Sequence, residues 1–252
     1  MRLKDCYRTD DFRRLAQRRL PAPIFHYIDG GSDDEATLRR NTAAFDEVDL
    51  VPSVLAGLDS VDLSVSVLGA RLRMPLFFAP TALQRLFHHE GERAIARAAD
   101  KFGTMFCVST IGTRSIEELG ALTAAPKLFQ IYVHKDPGLT TNLIERCRAA
   151  GFNALALTVD TIVAGNRERD YHTGMTTPPK LNLRSLLSFA AHPGWSLNHL
   201  LRARFDLPNL TAYMGAGGSA QASVVDYINT QLLRSIDWDD AAPMIAEWGG
   251  PF

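Results

Sequence analysis

The chain has 252 residues, of which 46% are hydrophobic and 22% are charged, so it can bury the core of one large α/β domain or of two ordinary domains. Its 27 lysines and arginines nearly balance 28 aspartates and glutamates. A net charge so close to zero excludes a positive electrostatic potential over the whole surface that would attract nucleic acid or a membrane. Three widely spaced cysteines without a CxxC pair argue against a disulfide framework or a zinc site and suit a reducing cytoplasm.

The first seventy residues predict short helices and extended chain. We expect no signal peptide, because "MRLKDCYRTDDFRR" lacks an apolar core, and no window approaches the roughly 18 apolar residues of a membrane span. "DDFRRLAQRRL" predicts a helix capped by Asp10 or Asp11, "IFHYIDGG" a short helix closed by Gly30 and Gly31, and "SDDEATLRRNTAAF" a helix with an acidic first turn. Residues 1–73 are therefore interpreted as an N-terminal flap.

From Met74 onward, apolar runs alternate with helix-like segments at intervals of about 25 residues. The runs are "PLFFAPTA", "MFCVST", "LFQIYV" and "ALALTVD". Runs that are apolar at nearly every position are typical of parallel strands covered on both faces. We therefore predict four parallel strands within 74–166, each followed by a helix, starting near Leu76, Thr104, Leu128 and Ala154. A doubly wound sheet and a (β/α)₈ barrel both satisfy this pattern, although no GxGxxG follows the first strand.

Polar side chains stand at the end of every predicted strand. They are Thr81 after the first strand, Ser109 and Thr110 after the second, Gln130 and Tyr132 in the third, and Thr158 and Asp160 after the fourth. In a barrel these positions converge on the C-terminal face, where uncharged donors and acceptors could hold a planar heteroaromatic cofactor by its ring edges. Taken singly, each could instead cap the following helix.

A cluster of charges, "GNRERD", follows the fourth predicted strand closely. An arginine here would offer the planar pair of N–H donors that holds a carboxylate in one orientation. Arg167 and Arg169 are the two candidates, and a solvated charged loop is the alternative interpretation.

Several segments together closely resemble one enzyme family. "FHYIDGGSDDEATLRRN", "FAPTALQRL", "FQIYVHKD", "ALTVDT" and "GNRERD" are similar, in the right order and over essentially the whole chain, to the FMN-dependent 2-hydroxy acid dehydrogenases and oxidases. The sequence after "GNRERD" looks most like the bacterial L-lactate dehydrogenases of that family.

The resemblance implies a TIM barrel, here incomplete with about four strands, that carries FMN across its C-terminal mouth. It implies that the backbone at Pro80, Thr81 and Ala82 meets the flavin and that Ser109, Gln130 and Thr158 hydrogen-bond FMN. It also implies that Tyr27, Tyr132 and Arg167 face the substrate, and it favours Arg167 over Arg169. Without the resemblance, both tyrosines could equally be packing aromatics with a wet hydroxyl.

The implied activity is FMN-dependent oxidation of a small L-2-hydroxy acid, first of all L-lactate to pyruvate, with glycolate or mandelate as alternatives. Quinone or oxygen would accept the electrons, no nucleic acid would take part, and the full-length enzyme would be a homotetramer. We expect a cytoplasmic location or a peripheral one on the inner face of the cell membrane, which the long segment 167–241 would meet while also serving as a lid.

The chain departs from the family at its C-terminal side. The catalytic histidine and the phosphate-binding loops have no counterpart here, so no catalytic base is assigned and one is expected beyond Phe252. Residues 242–252 are interpreted as leading into the fifth strand of the barrel, with Pro251 and Phe252 as its first residues. We expect a truncated product or an incomplete gene model within a single domain over 1–252, inactive alone. A non-catalytic remnant is the alternative.

The remaining histidines provide no site. His134, His172, His192 and His199 are candidate bases by residue type alone. "FHHEGE" invites a metal interpretation, but we expect its adjacent histidines to point apart and we predict no metal site.

Overall fold

The computed structural model describes residues 2–161, 163, 165–175, 180–202, 205–211 and 232–252. Part of the predicted lid over 167–241 therefore lies outside the described residues, namely 176–179, 203–204 and 212–231. The chain forms two compact units, one of Met1–Asp62 with Ala164–Leu197 and one of Leu63–Val163 with Asn198–Phe252. No helix among the described residues has the length and apolar character needed to cross a membrane.

The described elements follow in chain order. The α-helices are α1 (Thr9–Arg19), α2 (Ala22–Asp29), α3 (Ala36–Ala43), α4 (Glu92–Phe102), α5 (Ile116–Leu122), α6 (Pro137–Ala149), α7 (Glu168–Thr173), α8 (Leu183–Ala191), α9 (Pro193–Leu201) and α10 (Trp238–Trp248). The strands are β1 (Val65–Val67), β2 (Ala70–Leu72), β3 (Phe106–Ser109), β4 (Lys127–Ile131) and β5 (Ala154–Leu157). Short 3₁₀ turns cover Leu3–Asp5, Ala44–Glu47 and Gln84–Leu86.

The first unit is helical, as the sequence predicts, but two helices begin elsewhere than expected. The N-cap of α1 is Arg8, and Asp11 reaches back from the first turn to accept hydrogen bonds from the backbone N–H groups of Tyr7 and Arg8. The helix α3 begins only at Ala36, because Glu35 adopts a left-handed conformation with φ 56°. The predicted cap assignments were therefore wrong by a few residues, since a side chain near the start can satisfy free amides without being the N-cap.

The second unit holds two sheets. The antiparallel pair β1–β2 is a tight hairpin whose turn residues Leu68 and Gly69 both have positive φ, and it was not among the predicted elements. The other sheet is parallel in the order β3-β4-β5, with Phe106 opposite Lys127 and Leu128 opposite Ala154. The predicted second, third and fourth strands are thus confirmed as parallel neighbours in chain order.

The first predicted strand, near Leu76, was wrong as a full strand. It is reduced to an isolated parallel bridge between Phe78 and Phe106. Pro75 and Pro80 bracket the segment, and proline cannot donate a ladder hydrogen bond. At the opposite edge of the sheet, the Leu155 N–H donates to the Pro251 carbonyl at 3.1 Å.

The helices α4, α5, α6 and α10 cover the parallel sheet and supply its main core. The fully buried members of this cluster include Ala96, Ala99, Phe106, Val108, Ile116, Leu119, Phe129, Ile131, Leu139, Leu143, Ile144 and Leu155. Burial on both faces explains why the strand segments are apolar at nearly every position. The arrangement leaves the carboxyl ends of β3, β4 and β5 side by side, and the polar residues stand there.

Candidate functional site

A row of neutral polar side chains crosses the carboxyl ends of the three parallel strands. The Ser109 hydroxyl donates to Gln130 Oε1 at 2.8 Å, and Gln130 Nε2 donates to Thr158 Oγ1 at 2.5 Å. Ser109 and Gln130 are register partners across β3 and β4, and Thr158 directly follows β5. The structure therefore brings together the three residues that the resemblance implied would hydrogen-bond the cofactor.

Two hydrogen atoms of this row have no acceptor in the part of the chain that the structure describes. A glutamine amide carries two N–H donors and a threonine hydroxyl both donates and accepts. Gln130 Nε2 uses one of its two donors on Thr158, and Thr158 Oγ1 is the acceptor in that bond. Among the described residues, no acceptor meets the second Gln130 N–H or the Thr158 O–H. The row can thus donate to an electron-rich ring edge without adding a fixed charge.

Thr110 and Tyr132 secure the same strand ends. Thr110 Oγ1 donates to the Gln130 carbonyl at 2.7 Å and accepts from the Tyr132 N–H at 3.0 Å, so Thr110 ties β3 to the residues that end β4. Burial raises the pKa of the Tyr132 hydroxyl, and the negative charge of Asp160 raises it further. Tyr132 is therefore protonated at neutral pH and can donate a hydrogen bond.

The backbone at Pro80, Thr81 and Ala82 is held by a residue that the sequence analysis missed. Gln84 is buried, and its Nε2 donates to the Thr81 carbonyl at 3.1 Å and to Thr81 Oγ1 at 2.9 Å. The neighbouring Leu83 has a left-handed conformation and donates its N–H to the Ile111 carbonyl. These contacts fix the loop after Phe78 relative to the loop after β3.

In the first unit, Arg167 and Tyr27 meet. Arg167 Nε donates to Asp170 Oδ2 at 2.7 Å, and Arg167 Nη2 donates to the Tyr27 carbonyl. The guanidinium carbon also lies 5.2 Å from the centroid of the Tyr27 ring, within the range of a cation–π contact. Two of the three residues predicted to face the substrate are therefore direct neighbours.

Arg169, the competing arginine, is occupied by carboxylates. Its Nη1 donates to Asp29 Oδ2 at 3.0 Å and its Nη2 donates to Glu35. Asp29 also accepts from Arg13 Nε at 2.5 Å, and the hydrogen bond from Arg13 holds the pKa of Asp29 below its usual value. Arg169 is thus a structural ion-pair residue that links α2, α7 and the turn before α3.

Asp170 is a second residue that the sequence analysis missed. A signal for it existed, because a carboxylate three residues after an arginine can pair with it within one helical turn. Burial of the Asp170 side chain, by contrast, is visible only in the tertiary structure.

The histidine-rich segment is not arranged as expected. The His88 and His89 rings do not point apart; their centroids lie 4.4 Å apart with a tilt of 32°. Glu92 is buried and accepts from the Thr113 N–H at 2.8 Å and from Thr113 Oγ1 at 2.6 Å, so it closes the loop after β3. Within the described ranges, no group of three or more His, Cys, Asp or Glu residues could hold a metal ion.

Comparisons with known proteins agree on one family. The sequence model of a family described as FMN-dependent dehydrogenase matches residues 16–252. L-lactate dehydrogenases of Yersinia pestis (strain Pestoides F) and Yersinia pseudotuberculosis serotype O:3 (strain YPIII) are each 40% identical to the chain over 244 residues, which is 96% of this chain and 64% of theirs. The chain therefore spans slightly less than two thirds of the length of these relatives.

Solved structures of similar proteins superimpose closely. The monotopic membrane protein (S)-mandelate dehydrogenase gives a TM-score of 0.89 at 29% identity, covering 97% of this chain and 64% of that chain. A mandelate oxidase with (S)-4-hydroxymandelic acid gives a TM-score of 0.74 at 30% identity, covering 94% and 60%.

Proposed function

The chain belongs to the FMN-dependent dehydrogenase family, and from this membership we propose that it supplies the flavin-ring and carboxylate-binding residues of an enzyme that oxidises a small L-2-hydroxy acid. L-lactate, oxidised to pyruvate, is the first substrate to test, because the 40% identical relatives are L-lactate dehydrogenases. Glycolate and mandelate are the alternatives, and structural relatives named for mandelate support the latter.

The single observation that carries the proposal is the neutral row Ser109–Gln130–Thr158, two of whose donors meet no acceptor among the described residues. FMN, when bound, would supply the acceptor for the two electrons that leave the substrate carbon. Ser109, Gln130 and Thr158 would hold and orient the ring edge, and the backbone of Pro80 to Ala82 would lie against it. Neutral, preorganised donors of this kind stabilise electron density on a ring without a competing charge.

The substrate carboxylate is assigned to Arg167, with Tyr27 and Tyr132 as hydroxyl donors. The contacts of Arg169 support this choice, because its Nη1 and Nη2 already donate to the carboxylates of Asp29 and Glu35. A charge-assisted pair between a guanidinium and a carboxylate fixes orientation as well as affinity. We assign no catalytic base among residues 1–252, so ligand binding rather than turnover tests the proposal.

We also propose that Phe78, β3, β4 and β5 are the first four strand positions of a TIM barrel in a single domain over 1–252. The order of the parallel pairs, the α-helix after each of them and the hydrogen bond from Leu155 to Pro251 support it. Assembly into a homotetramer and reoxidation by quinone or oxygen belong to the same proposal.

Association with the surface of a membrane is a further part of the proposal. Six leucines of α8 and α9 are more than half exposed: Leu183, Leu186, Leu187, Leu197, Leu200 and Leu201. Exposed apolar groups in such number are typical of a surface that meets a membrane or another protein. Sedimentation with phospholipid vesicles should carry the chain into the pellet, and Leu186→Ser with Leu187→Ser should reduce that fraction.

The decisive experiment titrates the chain with riboflavin and with FMN and follows quenching of flavin fluorescence. We expect saturable quenching by both flavins, since the row Ser109–Gln130–Thr158 would contact the isoalloxazine ring that the two flavins share. Addition of oxalate or L-lactate should then cause a further change in the flavin spectrum. Absence of saturable quenching, or quenching that Gln130→Leu leaves unchanged, would overturn the flavin assignment.

A further inference from the structure

We propose that Asp170 is a positioning residue that sets the orientation of the Arg167 guanidinium. Because Asp170 holds Nε, the end of the group, formed by Nη1 and Nη2, would face a bound carboxylate, and its side edge, formed by Nε and Nη2, would not. The inference rests on the proposed function of Arg167 as the carboxylate-binding residue. It adds a residue to which no carboxylate-binding or cofactor role has been given.

Three contacts fix the Arg167 side chain within the first unit. The 2.7 Å bond from Nε to Asp170 Oδ2 sets the rotation of the group, and the bond from Nη2 to the Tyr27 carbonyl sets its tilt. The guanidinium carbon lies over the Tyr27 ring, 5.2 Å from the ring centroid. A long side chain with four rotatable bonds is thereby held in one arrangement.

The contacts use one particular edge of the guanidinium. The group has five N–H donors in a planar fork, and its side edge consists of the Nε hydrogen and one Nη2 hydrogen. Asp170 accepts from Nε, and the Tyr27 carbonyl accepts from Nη2. Among the described residues, no acceptor meets Nη1, and one hydrogen of Nη2 is also left without an acceptor. The end of the fork consists of one Nη1 hydrogen beside one Nη2 hydrogen. A carboxylate can form a bidentate pair with this end of the guanidinium.

Asp170 itself is built into the fold. Asp170 is buried, with a relative solvent exposure of 7%. Its backbone N–H donates to the Arg167 carbonyl at 3.0 Å in the first turn of α7. Its second oxygen, Oδ1, is buried and has no hydrogen-bond partner among the described residues. A buried carboxylate that uses only one oxygen costs stability, so its contact with Arg167 is better explained by orientation of the guanidinium than by stability.

The neighbouring ion pair provides the contrast. Asp29 accepts hydrogen bonds on both of its oxygens, from Arg13 on Oδ1 and from Arg13 and Arg169 on Oδ2. Asp29→Asn removes a carboxylate from the same unit without touching Arg167, which makes it the matched control for Asp170→Asn.

The test measures orientation and binding separately. In ¹⁵N-edited NMR spectra, the Arg167 Nε–H signal should be resolved in the chain and should shift or broaden in Asp170→Asn and Asp170→Ala, but not in Asp29→Asn. Calorimetric titration of the FMN-saturated chain with oxalate should show a dissociation constant raised about tenfold in Asp170→Ala and less in Asp170→Asn, which keeps an acceptor for Nε. Asp29→Asn should leave oxalate affinity unchanged while lowering the melting temperature.

A double-mutant cycle with Arg167→Lys then identifies the route of the effect. If Asp170 acts through Arg167, Asp170→Ala should change oxalate affinity much less in the Arg167→Lys background than in the wild-type background. An equal loss in both backgrounds, or wild-type oxalate affinity in both Asp170 variants while Arg167→Lys binds weakly, would overturn the inference and leave the proposed function standing. Wild-type affinity in Arg167→Lys would overturn the proposed function and this inference with it.

Discussion

The Ser109 hydroxyl donates a hydrogen bond to the Gln130 side-chain oxygen at 2.8 Å, directly across the β3–β4 pair. Both residues are almost fully buried, so each needs the other to satisfy its polar atoms. The same glutamine amide faces Thr158 on its other side. One side chain therefore links the ends of three parallel strands.

Gln130→Leu should consequently disturb both folding and flavin binding. Removal of the amide leaves the buried Ser109 hydroxyl without its acceptor, which lowers the free energy of unfolding by about 1–3 kcal/mol. Urea denaturation and flavin titration measure the two effects. Thr110→Val is the matched control, because the Thr110 hydroxyl bonds, within the described residues, to backbone groups of the strand ends alone. It should lose stability while flavin affinity stays within twofold, and an equal loss of flavin affinity would count against a specific role for Gln130.

Arg167→Lys should weaken carboxylate binding. Lysine keeps the charge but loses the paired donors, and a charge-assisted hydrogen bond contributes about 1.5–3 kcal/mol, so the oxalate dissociation constant should rise roughly ten- to a hundred-fold. Arg169→Lys should instead lower the melting temperature and leave oxalate affinity unchanged, because Arg169 bonds to Asp29 and Glu35. Calorimetry on both variants decides the matter. A larger loss of affinity in Arg169→Lys would mean that the carboxylate has been placed on the wrong residue.

Glu117 should make stability depend on acid pH. Two hydrogen bonds from Arg146 lower the pKa of Glu117 from 4.5 to about 2. A carboxylate with a lowered pKa in the folded state contributes stability that is present above pH 4.5 and is lost as pH falls toward 2. The side chain is 55% exposed, so solvent screening limits the contribution to about 1 kcal/mol or less.

The melting temperatures of the wild type and Glu117→Gln should therefore differ at neutral pH and converge as the pH falls to about 2. In an Arg146→Met background, the difference should be much smaller at every pH. A difference of constant size between neutral pH and pH 2 would refute the linkage to Glu117.

Phe129→Ala should be among the most destabilising changes in the second unit. Phe129 is fully buried at the centre of β4, and its ring meets the Phe152 ring edge-on at a centroid distance of 5.9 Å. Loss of a buried aromatic leaves a cavity and costs about 3–5 kcal/mol. Phe45→Ala, at a side chain that is 82% exposed, should stay within about 0.5 kcal/mol of the wild type in the same urea titration.

Much of the parallel sheet could be predicted from the sequence, because burial on both faces makes a strand apolar at nearly every position. The runs that became β3, β4 and β5 carry that pattern, and their polar ends were recognised for the same reason. The run near Leu76 carries it too, but the flanking prolines leave only the bridge at Phe78. The hairpin β1–β2 was missed because its strands are three residues long, too short to show alternation.

Within "GNRERD", the sequence determined that arginines and carboxylates would be close together, and the three-residue spacing already allowed Arg167 to pair with Asp170. Only the tertiary structure decided what each arginine does. Asp29 and Glu35 stand more than a hundred residues before Arg169 in the chain, yet they accept from both of its outer nitrogens. Arg167 Nη1, by contrast, meets no acceptor in the described ranges. Local periodicity reports which residues share a strand or a helical turn, but the partners of a charged group are set by how distant segments pack.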